Sequence, residues 1–348
     1  MSARMEFAPP VGFAPTTHGV ALDGTFFSLD TQAGRSVALA LIGRLTMSEA
    51  REALGALQAR AAEFAAVEAD LVALVEIDIP HAGVFLEPVA PDLRIVFSHA
   101  DVFAAWGFTH RAPALVAVDR GGRIVDAPGE MSALLAALAR QPREATGDDN
   151  CPAPVLMIPD ILSPQLCRDL IAHFEAGQPQ FGGMASIDAQ GQYTHKIDVT
   201  KKHRFDLELG ARDPFLSPVL AGILTRCLPE IKRAFQVEIA HTDRILLARY
   251  DETGGYFKRH RDNSAPSVAF RQFALSINLN DDYDGGQVLF PEYNSRRYRP
   301  RAGAGVVFSC SLLHEAAAVS RGRRYCALTF LHDAAAQTRW MGLNRRAS

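Results

Sequence analysis

Cysteine is scarce and unevenly placed in this chain. Five occur in 348 residues, at Cys151, Cys167, Cys227, Cys310 and Cys326, and the first 150 residues hold none. No two stand as a CxxC pair, which excludes a zinc ribbon and a dithiol redox motif and leaves each as a small buried hydrophobe. A surplus of one charge is lacking too. Lys and Arg number 36 against 39 Asp and Glu, a net of −3, so there is no basic footprint for nucleic acid. No apolar run approaches the roughly 18 residues that a membrane span needs. Residues 1–10 contain no apolar core of signal-peptide type. The expected setting is therefore cytoplasmic, with reduced thiols and with neither nucleic acid nor membrane as a partner.

What is present is an ordinary globular mix, 48% hydrophobic and 22% charged, at a length that suggests two domains. The seam is legible as QPREATGDDNCPAP at residues 141–154, polar, charged and punctuated by three prolines. The expected division is a first domain over 1–142, a linker over 143–153 and a second domain over 154–340.

Before the seam, strands and helices alternate. Residues 37–42, 71–77 and 115–118 are short apolar runs with strand character. Thr46 or Ser48 is positioned to cap a helix reaching about Ala66, with Leu54, Leu57, Ala61 and Phe64 on one face. Asp119-Arg120-Gly121-Gly122 reads as a hairpin turn into residues 123–125, and residues 131–139 as a closing helix. This order predicts an α/β layer fold.

After the seam, Ser163 reads as an N-cap with Pro164 in the first helical position, and Leu166, Leu170, Ile171 and Phe174 follow at helical spacing. A second helix is expected from Ser217-Pro218, with Leu220, Leu224, Leu228, Ile231 and Phe235 as its stripe. Short strands then dominate, at 244–250, 273–280, 287–290, 305–309 and 324–331. Helices followed by many strands predict helices packed on an antiparallel sandwich.

The chemistry-bearing residues lie in this second part. Two histidines and one carboxylate on one face of a metal leave three positions open, the arrangement of non-haem iron(II) oxygenases. His260-Arg261-Asp262 supplies a His-x-Asp turn. The triplet alone is cheap, since His99-Ala100-Asp101 and His241-Thr242-Asp243 have the same form among 11 histidines. His260 gains weight from its company. The strand at 305–309 leads to His314, and Arg324 stands ten positions later, beyond a turn at Gly322. Period-2 alternation puts Arg324, Cys326, Leu328 and Phe330 on one face. A guanidinium on an inward face needs an anion, and a planar fork matches a carboxylate such as the distal one of 2-oxoglutarate. In residues 273–280 the apolar Leu275, Ile277 and Leu279 alternate with Ser276, Asn278 and Asn280, a polar row suited to a wet cavity or to a solvated sheet face. Tyr250 ends its strand on the face of Arg244, Leu246 and Ala248.

Taken together, Tyr250 through Asp262, Asn278-Leu279-Asn280, Gly285 through Pro291 and His314 through Leu331 resemble the prolyl-hydroxylase-like branch of the 2-oxoglutarate oxygenases. The opening at 154–162 with Cys167 extends the likeness to about 180 residues. The resemblance implies a double-stranded β-helix (jelly roll) with packing helices. It implies His260, Asp262 and His314 as ligands of Fe(II), Arg324 for the distal carboxylate and Tyr250 as a hydrogen-bonding partner of 2-oxoglutarate. Asn278 falls where many members carry a tyrosine that also reaches the co-substrate. Oxygen is the second co-substrate, and the class leaves room for ascorbate. The implied reaction hydroxylates an unactivated C–H bond, of a prolyl or other side chain in a peptide or protein or else of a free amino acid or other small molecule, with release of succinate and carbon dioxide.

The first part resembles the peroxiredoxin branch of thioredoxin-like folds over about 130 residues. The likeness rests on Ala8-Pro9-Pro10-Val11, on Leu22-Asp23-Gly24-Thr25-Phe26-Phe27-Ser28-Leu29 and on Pro113 through Asp119. Where that family places its reactive cysteine, this chain reads Gly43-Arg44-Leu45-Thr46-Met47-Ser48. A hydroxyl or thioether cannot replace a thiolate as peroxide nucleophile, so the expectation is a scaffold without the redox site. Three rival readings are thereby set: a non-catalytic redoxin–oxygenase scaffold, a peroxidase, and a nucleic-acid demethylase. The missing cysteine and the mild negative charge disfavour the last two. Candidate specificity elements are residues 178–206 and 263–272. The charged run Lys201-Lys202-His203-Arg204 in the first of them also fits a solvated loop.

Overall fold

The computed structural model describes residues 12–32, 34–76, 89–108, 112–141, 152–187 and 193–347. The opening Ala8-Pro9-Pro10-Val11, Ile77, Cys151 and most of the expected linker lie outside the described residues. The chain divides into two compact units, residues 1–151 with 291–295, and residues 152–290 with 296–348.

The first unit runs β1 (His18–Ala21), β2 (Phe26–Ser28), β3 (Ser36–Gly43), α1 (Ser48–Ala59), α2 (Ala61–Ala66), β4 (Ala69–Glu76), β5 (Leu93–Ser98), α3 (Ala100–Ala105), β6 (Ala114–Val118), β7 (Ile124–Asp126) and α4 (Met131–Ala139). Its sheet has the order β2-β1-β5-β4-β3-β6-β7, with β3, β4 and β5 parallel and the outer strands antiparallel. The apolar run of β3 is buried on both faces, as parallel strands require. Ala38, Ala40 and Ile42 pack with Leu54, Leu57, Phe64, Leu134 and Leu138 of the helices on one side. Val37, Leu39 and Leu41 pack with Val102, Phe103 and Trp106 on the other. The Trp106 indole satisfies its buried N–H on Thr17 Oγ1 at 2.9 Å.

Two local expectations differ from the structure. Met47 occupies the N-cap of α1 and no side chain caps it, while Ser48 already lies inside the helix. The helix also breaks at Arg60, whose backbone leaves helical values before α2 resumes. The expected apolar face survives the break, because Ala61 and Phe64 are buried beside Leu54 and Leu57.

The second unit opens with β8 (Leu156–Ile158), α5 (Pro164–Ala176), β9 (Gln180–Phe181), β10 (Met184–Ile187), β11 (Tyr193–Lys196), β12 (Lys202–His203) and β13 (Phe205–Glu208). Next come α6 (Leu216–Gly222), a π turn (Ile223–Cys227) and α7 (Leu228–Phe235). The strands β14 (His241–Thr242), β15 (Leu246–Asp251), β16 (Tyr256–His260), β17 (Phe273–Asn278), β18 (Asp284–Gly285), β19 (Val288–Leu289), β20 (Arg297–Tyr298), β21 (Gly305–Ser309), β22 (His314–Ala316), β23 (Val319–Arg321) and β24 (Arg323–His332) follow, and α8 (Ala334–Ala347) closes the unit. Ser163 caps α5 as expected, its hydroxyl accepting from Leu166 N at 3.2 Å. The second helix does not start at Ser217-Pro218. It starts one residue earlier, and its buried row is Val219, Ile223, Cys227 and Ile231, with Leu224 54% exposed. Of the expected stripe, Ile231 belongs to this buried row, and Leu220, Leu228 and Phe235 pack half-buried against the same core.

The main sheet takes the order β8-β21-β17-β24-β15-β13-β9, with β14 added on β24, and the second sheet runs β12-β16-β22-β19-β20. Alternation divides the main sheet cleanly. Leu247, Leu275, Ile277, Val307, Ala327 and Leu331 pack on Leu170, Phe174, Val219 and Ile231 of the helices. Ala248, Tyr250 and Cys326 point the other way and meet Ala316 of the second sheet. The result is a sheet-rich fold of jelly-roll type whose interior lies between two sheets. Among the described residues no helix is long and apolar enough to cross a membrane.

Candidate active site

β16 and β22 are antiparallel neighbours with His260 opposite His314. The ladder thus brings together two histidines 54 positions apart. Asp262 sits just past the end of β16, its N–H tied to Cys310 O at 3.0 Å, so its carboxylate turns back toward both rings. His260 Nε2 lies 3.4 Å from Asp262 Oδ1 and His314 Nε2 lies 3.3 Å from Oδ2. One ligand atom from each of the three lies within 4.8 Å of the others, the single such cluster among the described residues that could hold a metal ion. The other two His-x-Asp triplets are not drawn in. Asp243, for example, is bound by Arg271 at 2.6 Å.

The electrostatics suit a cation. His260 Nδ1 meets Lys258 O at 2.7 Å and His314 Nδ1 meets Leu312 O at 3.0 Å. A carbonyl only accepts, so each Nδ1 carries the proton and each Nε2 offers its lone pair to the cluster. Burial pushes the His314 pKa down to about 4, which keeps the ring neutral near pH 7. Burial of Asp262 opposes ionisation, but the adjacent His314 and His260 outweigh it and hold its pKa at about 2. Two imidazoles and a carboxylate on one side of an open cavity form a donor set that fits iron(II).

The cavity has a volume of about 510 Å³ and runs from this cluster to Arg324. β24 presents Arg324, Leu328 and Phe330 to it, as the alternation predicted, and Thr329 as well, which the alternation did not predict. Cys326 of the expected face does not line the cavity, and Tyr325 and Ala327 turn toward the helices. Gly322 makes the preceding turn with φ +72°. Arg324 is 2% exposed. Its Nε and Nη2 donate to Asn278 Oδ1 at 3.1 and 3.0 Å, and Nη2 also donates to Ser276 Oγ at 3.2 Å. Gly286 (φ +68°) leaves room for it, since a Cβ there would come within 2.9 Å of Arg324 Cδ. Among the described residues Arg324 forms no ion pair with a carboxylate. A fully buried cation held by neutral partners invites an anion from the cavity.

Tyr250 lies directly opposite Arg324 on β15, buried and lining the cavity, with the guanidinium 5.3 Å from its ring. Asn278 is buried below Arg324. It accepts from that guanidinium and donates to Tyr283 Oη and Pro300 O, and it does not line the cavity. Asn280 turns away to bind Arg323 O and Asp282.

Both segments expected to set specificity reach the cavity, residues 178–206 through Lys202 and Arg204 and residues 263–272 through Phe270 and Arg271. Lys202 and Arg204 are buried at 4% and 7% exposure, so the charged run is not a solvated loop. Both bind Asp206, and burial together with the charge of Arg204 lowers the Lys202 pKa to about 7. The signal was available: Lys202, Arg204 and Asp206 alternate with apolar or aromatic residues and carry complementary charge, as one face of a strand does. Trp340 of α8 also lines the cavity, beside Phe270 with ring centroids 4.9 Å apart. Nothing in the sequence flagged it.

Comparison with known proteins agrees with this geometry. The model of the 2OG-Fe(II) oxygenase superfamily matches residues 245–332. A PKHD-type hydroxylase of Janthinobacterium sp. (strain Marseille) is 25% identical over 191 residues, covering 51% of this chain and 78% of that protein. Human prolyl 3-hydroxylase 3 is 40% identical over 80 residues, which span 21% of this chain and 11% of that protein. Among solved structures, a Pseudomonas putida prolyl-4-hydroxylase covers 52% of this chain and 92% of its own at 18% identity, with a TM-score of 0.40. The C-terminal half of the chain carries a 2OG-Fe(II) oxygenase domain, and the protein is a dioxygenase that uses iron(II), 2-oxoglutarate and oxygen.

Proposed function

We propose that this dioxygenase hydroxylates a prolyl or other side chain of a peptide or protein, with His260, Asp262 and His314 holding iron(II) and Arg324 holding the distal carboxylate of 2-oxoglutarate. The observation that carries the reading is Arg324, a buried guanidinium with only neutral partners among the described residues, in the same cavity as the three-ligand cluster. Iron bound there, with 2-oxoglutarate and oxygen, supplies the oxidant for an unactivated C–H bond. The protein's part is placement. The two carbonyl-anchored imidazoles keep their lone pairs on the metal. Asn278 and Ser276 fix the plane of the Arg324 fork, and Tyr250 hydrogen-bonds the same carboxylate. Phe257, stacked on His260 at 3.4 Å, and Phe308, against His314 at 4.6 Å, keep water from the ligands.

A peptidyl substrate is favoured by the relatives, one of which is named for a prolyl residue. The test is mass spectrometry for a +16 Da product after incubation of cell extract with the protein, iron(II), 2-oxoglutarate and oxygen. Peptides carrying the mark support the reading. A mark confined to a free amino acid or another small molecule moves the substrate to that class.

We further propose that the first unit is a thioredoxin-like domain of the peroxiredoxin branch, without redox chemistry, that helps present the substrate. Its parallel β3-β4-β5 core, and the turn at residues 44–47 from β3 into α1 that lacks cysteine, support this reading.

A further inference from the structure

Tyr250 Oη receives a hydrogen bond from Arg204 Nη1 at 3.1 Å. A guanidinium has no acceptor, so in this pair the tyrosine oxygen can only accept. Its own O–H must find another partner. Among the described residues Tyr250 Oη has no second protein partner, although the residue is 3% exposed. It lines the cavity directly across the strand pair from Arg324. The proton therefore points into the cavity beside a buried cation.

Arg204 is itself held firmly. Its Nη2 donates to Asp206 Oδ2 at 2.9 Å, and its guanidinium lies 5.6 Å from the Tyr250 ring and 6.0 Å from the Phe257 ring. Asp206 is shared with Lys202 at 3.3 Å. β13 pairs with β15, which fixes the spacing of this cluster from Tyr250. A charged donor clamped by a carboxylate is a rigid support for a hydroxyl rotor, and a preoriented donor costs less to engage than a free one.

We infer that Arg204 is a positioning residue for the co-substrate: by occupying the acceptor side of Tyr250 Oη, it makes that hydroxyl a dedicated donor to the anion held by Arg324. The inference rests on the assignment of 2-oxoglutarate to Arg324. It gives Arg204 no contact with the substrate and no part in metal binding.

The test is calorimetric binding of 2-oxoglutarate to the iron(II)-loaded full chain under nitrogen, which reads affinity without turnover. Tyr250→Phe should raise the Kd about tenfold, the loss of one hydrogen bond to a charged group. Arg204→Gln should raise it roughly three- to tenfold, and the double variant should be no weaker than Tyr250→Phe alone. Arg204→Lys keeps the charge but cannot reach the hydroxyl with the same donor, and it should lose affinity as Arg204→Gln does. It also serves where Arg204→Gln does not fold. Iron affinity should be unchanged in all of them. The inference is overturned if both Arg204 variants bind 2-oxoglutarate as the wild type does, if Arg204→Lys alone restores full affinity, or if the double variant shows the product of the two losses. Arg324→Met separates the two readings. A wild-type Kd in that variant removes the co-substrate assignment and the inference with it, whereas a raised Kd there with wild-type binding in the Arg204 variants removes the inference alone.

Discussion

Arg324 on β24 lies two residues along from the register partner of Asn278 on β17, Cys326, and two N–H groups of its guanidinium converge on the single amide oxygen of Asn278. The pair is fully buried, yet only one partner is charged. Asparagine orients the fork without neutralising it, which leaves its charge for a ligand. Asn278→Asp should therefore supply an internal counterion and raise the apparent Kd for 2-oxoglutarate more than tenfold while iron still binds. Truncating one side of a buried charged pair costs about 2–5 kcal/mol, so Arg324→Ala should lose at least as much. Titration of the co-substrate against both variants checks this. Unchanged affinity in Asn278→Asp would mean that the charge of Arg324 is not the binding determinant.

The metal cluster makes a separable claim. His260→Ala, Asp262→Ala and His314→Ala should each reduce iron occupancy from one per chain to a small fraction, measured by metal analysis after dialysis. His241→Ala and His99→Ala should retain the full complement. Loss of iron in His241→Ala with retention in His260→Ala would show that the wrong triplet had been assigned.

The pH dependence of the metal-free protein has a fixed sign. The folded pKa of His314 lies at about 4, below its ordinary 6.5, so between those values the unfolded chain binds more protons than the folded one. Stability should fall as the pH drops from about 6.5 toward 4. Asp262 acts in a lower window: its folded pKa of about 2 contributes stability that is lost between 3.8 and 2. Denaturant midpoints across this range test both. His314→Gln should flatten the upper part of the curve.

The first unit should be chemically inert toward peroxide. The full chain with a thiol reductant should consume hydrogen peroxide no faster than buffer. Catalytic consumption would contradict the reading of residues 44–47 as a turn without a nucleophile. Expression of residues 143–348 addresses the presenting role. If that fragment folds and treats every peptide as the full chain does, the first unit presents nothing.

Much of the site was legible because it lies on regular strands. Period-2 alternation placed Arg324 inward and Arg323 outward, and the structure has them at 2% and 56% side-chain exposure. The same rule turned Leu275, Ile277 and Leu279 to the helices. The difficulties arose where the period is broken. Arg60 interrupts a helix whose hydrophobic stripe continues, and a row beside the expected one, Val219, Ile223 and Cys227 with Ile231, is the more deeply buried in the second helix. For Lys202 and Arg204 the sequence leaves open a specificity element or a solvated loop, because each looks exposed alone, and only their shared Asp206 makes burial affordable. Asn278 could be located, but its service to Arg324 depends on a neighbour 46 positions away.

The most direct measurement is succinate release from 2-oxoglutarate by the iron-loaded chain in aerobic cell extract, counted against the +16 Da product. The account predicts equal amounts of the two, dependent on both iron and oxygen, and none above background in His260→Ala. Equal succinate from the wild type and His260→Ala, or none from a wild type shown to hold one iron per chain, would contradict it.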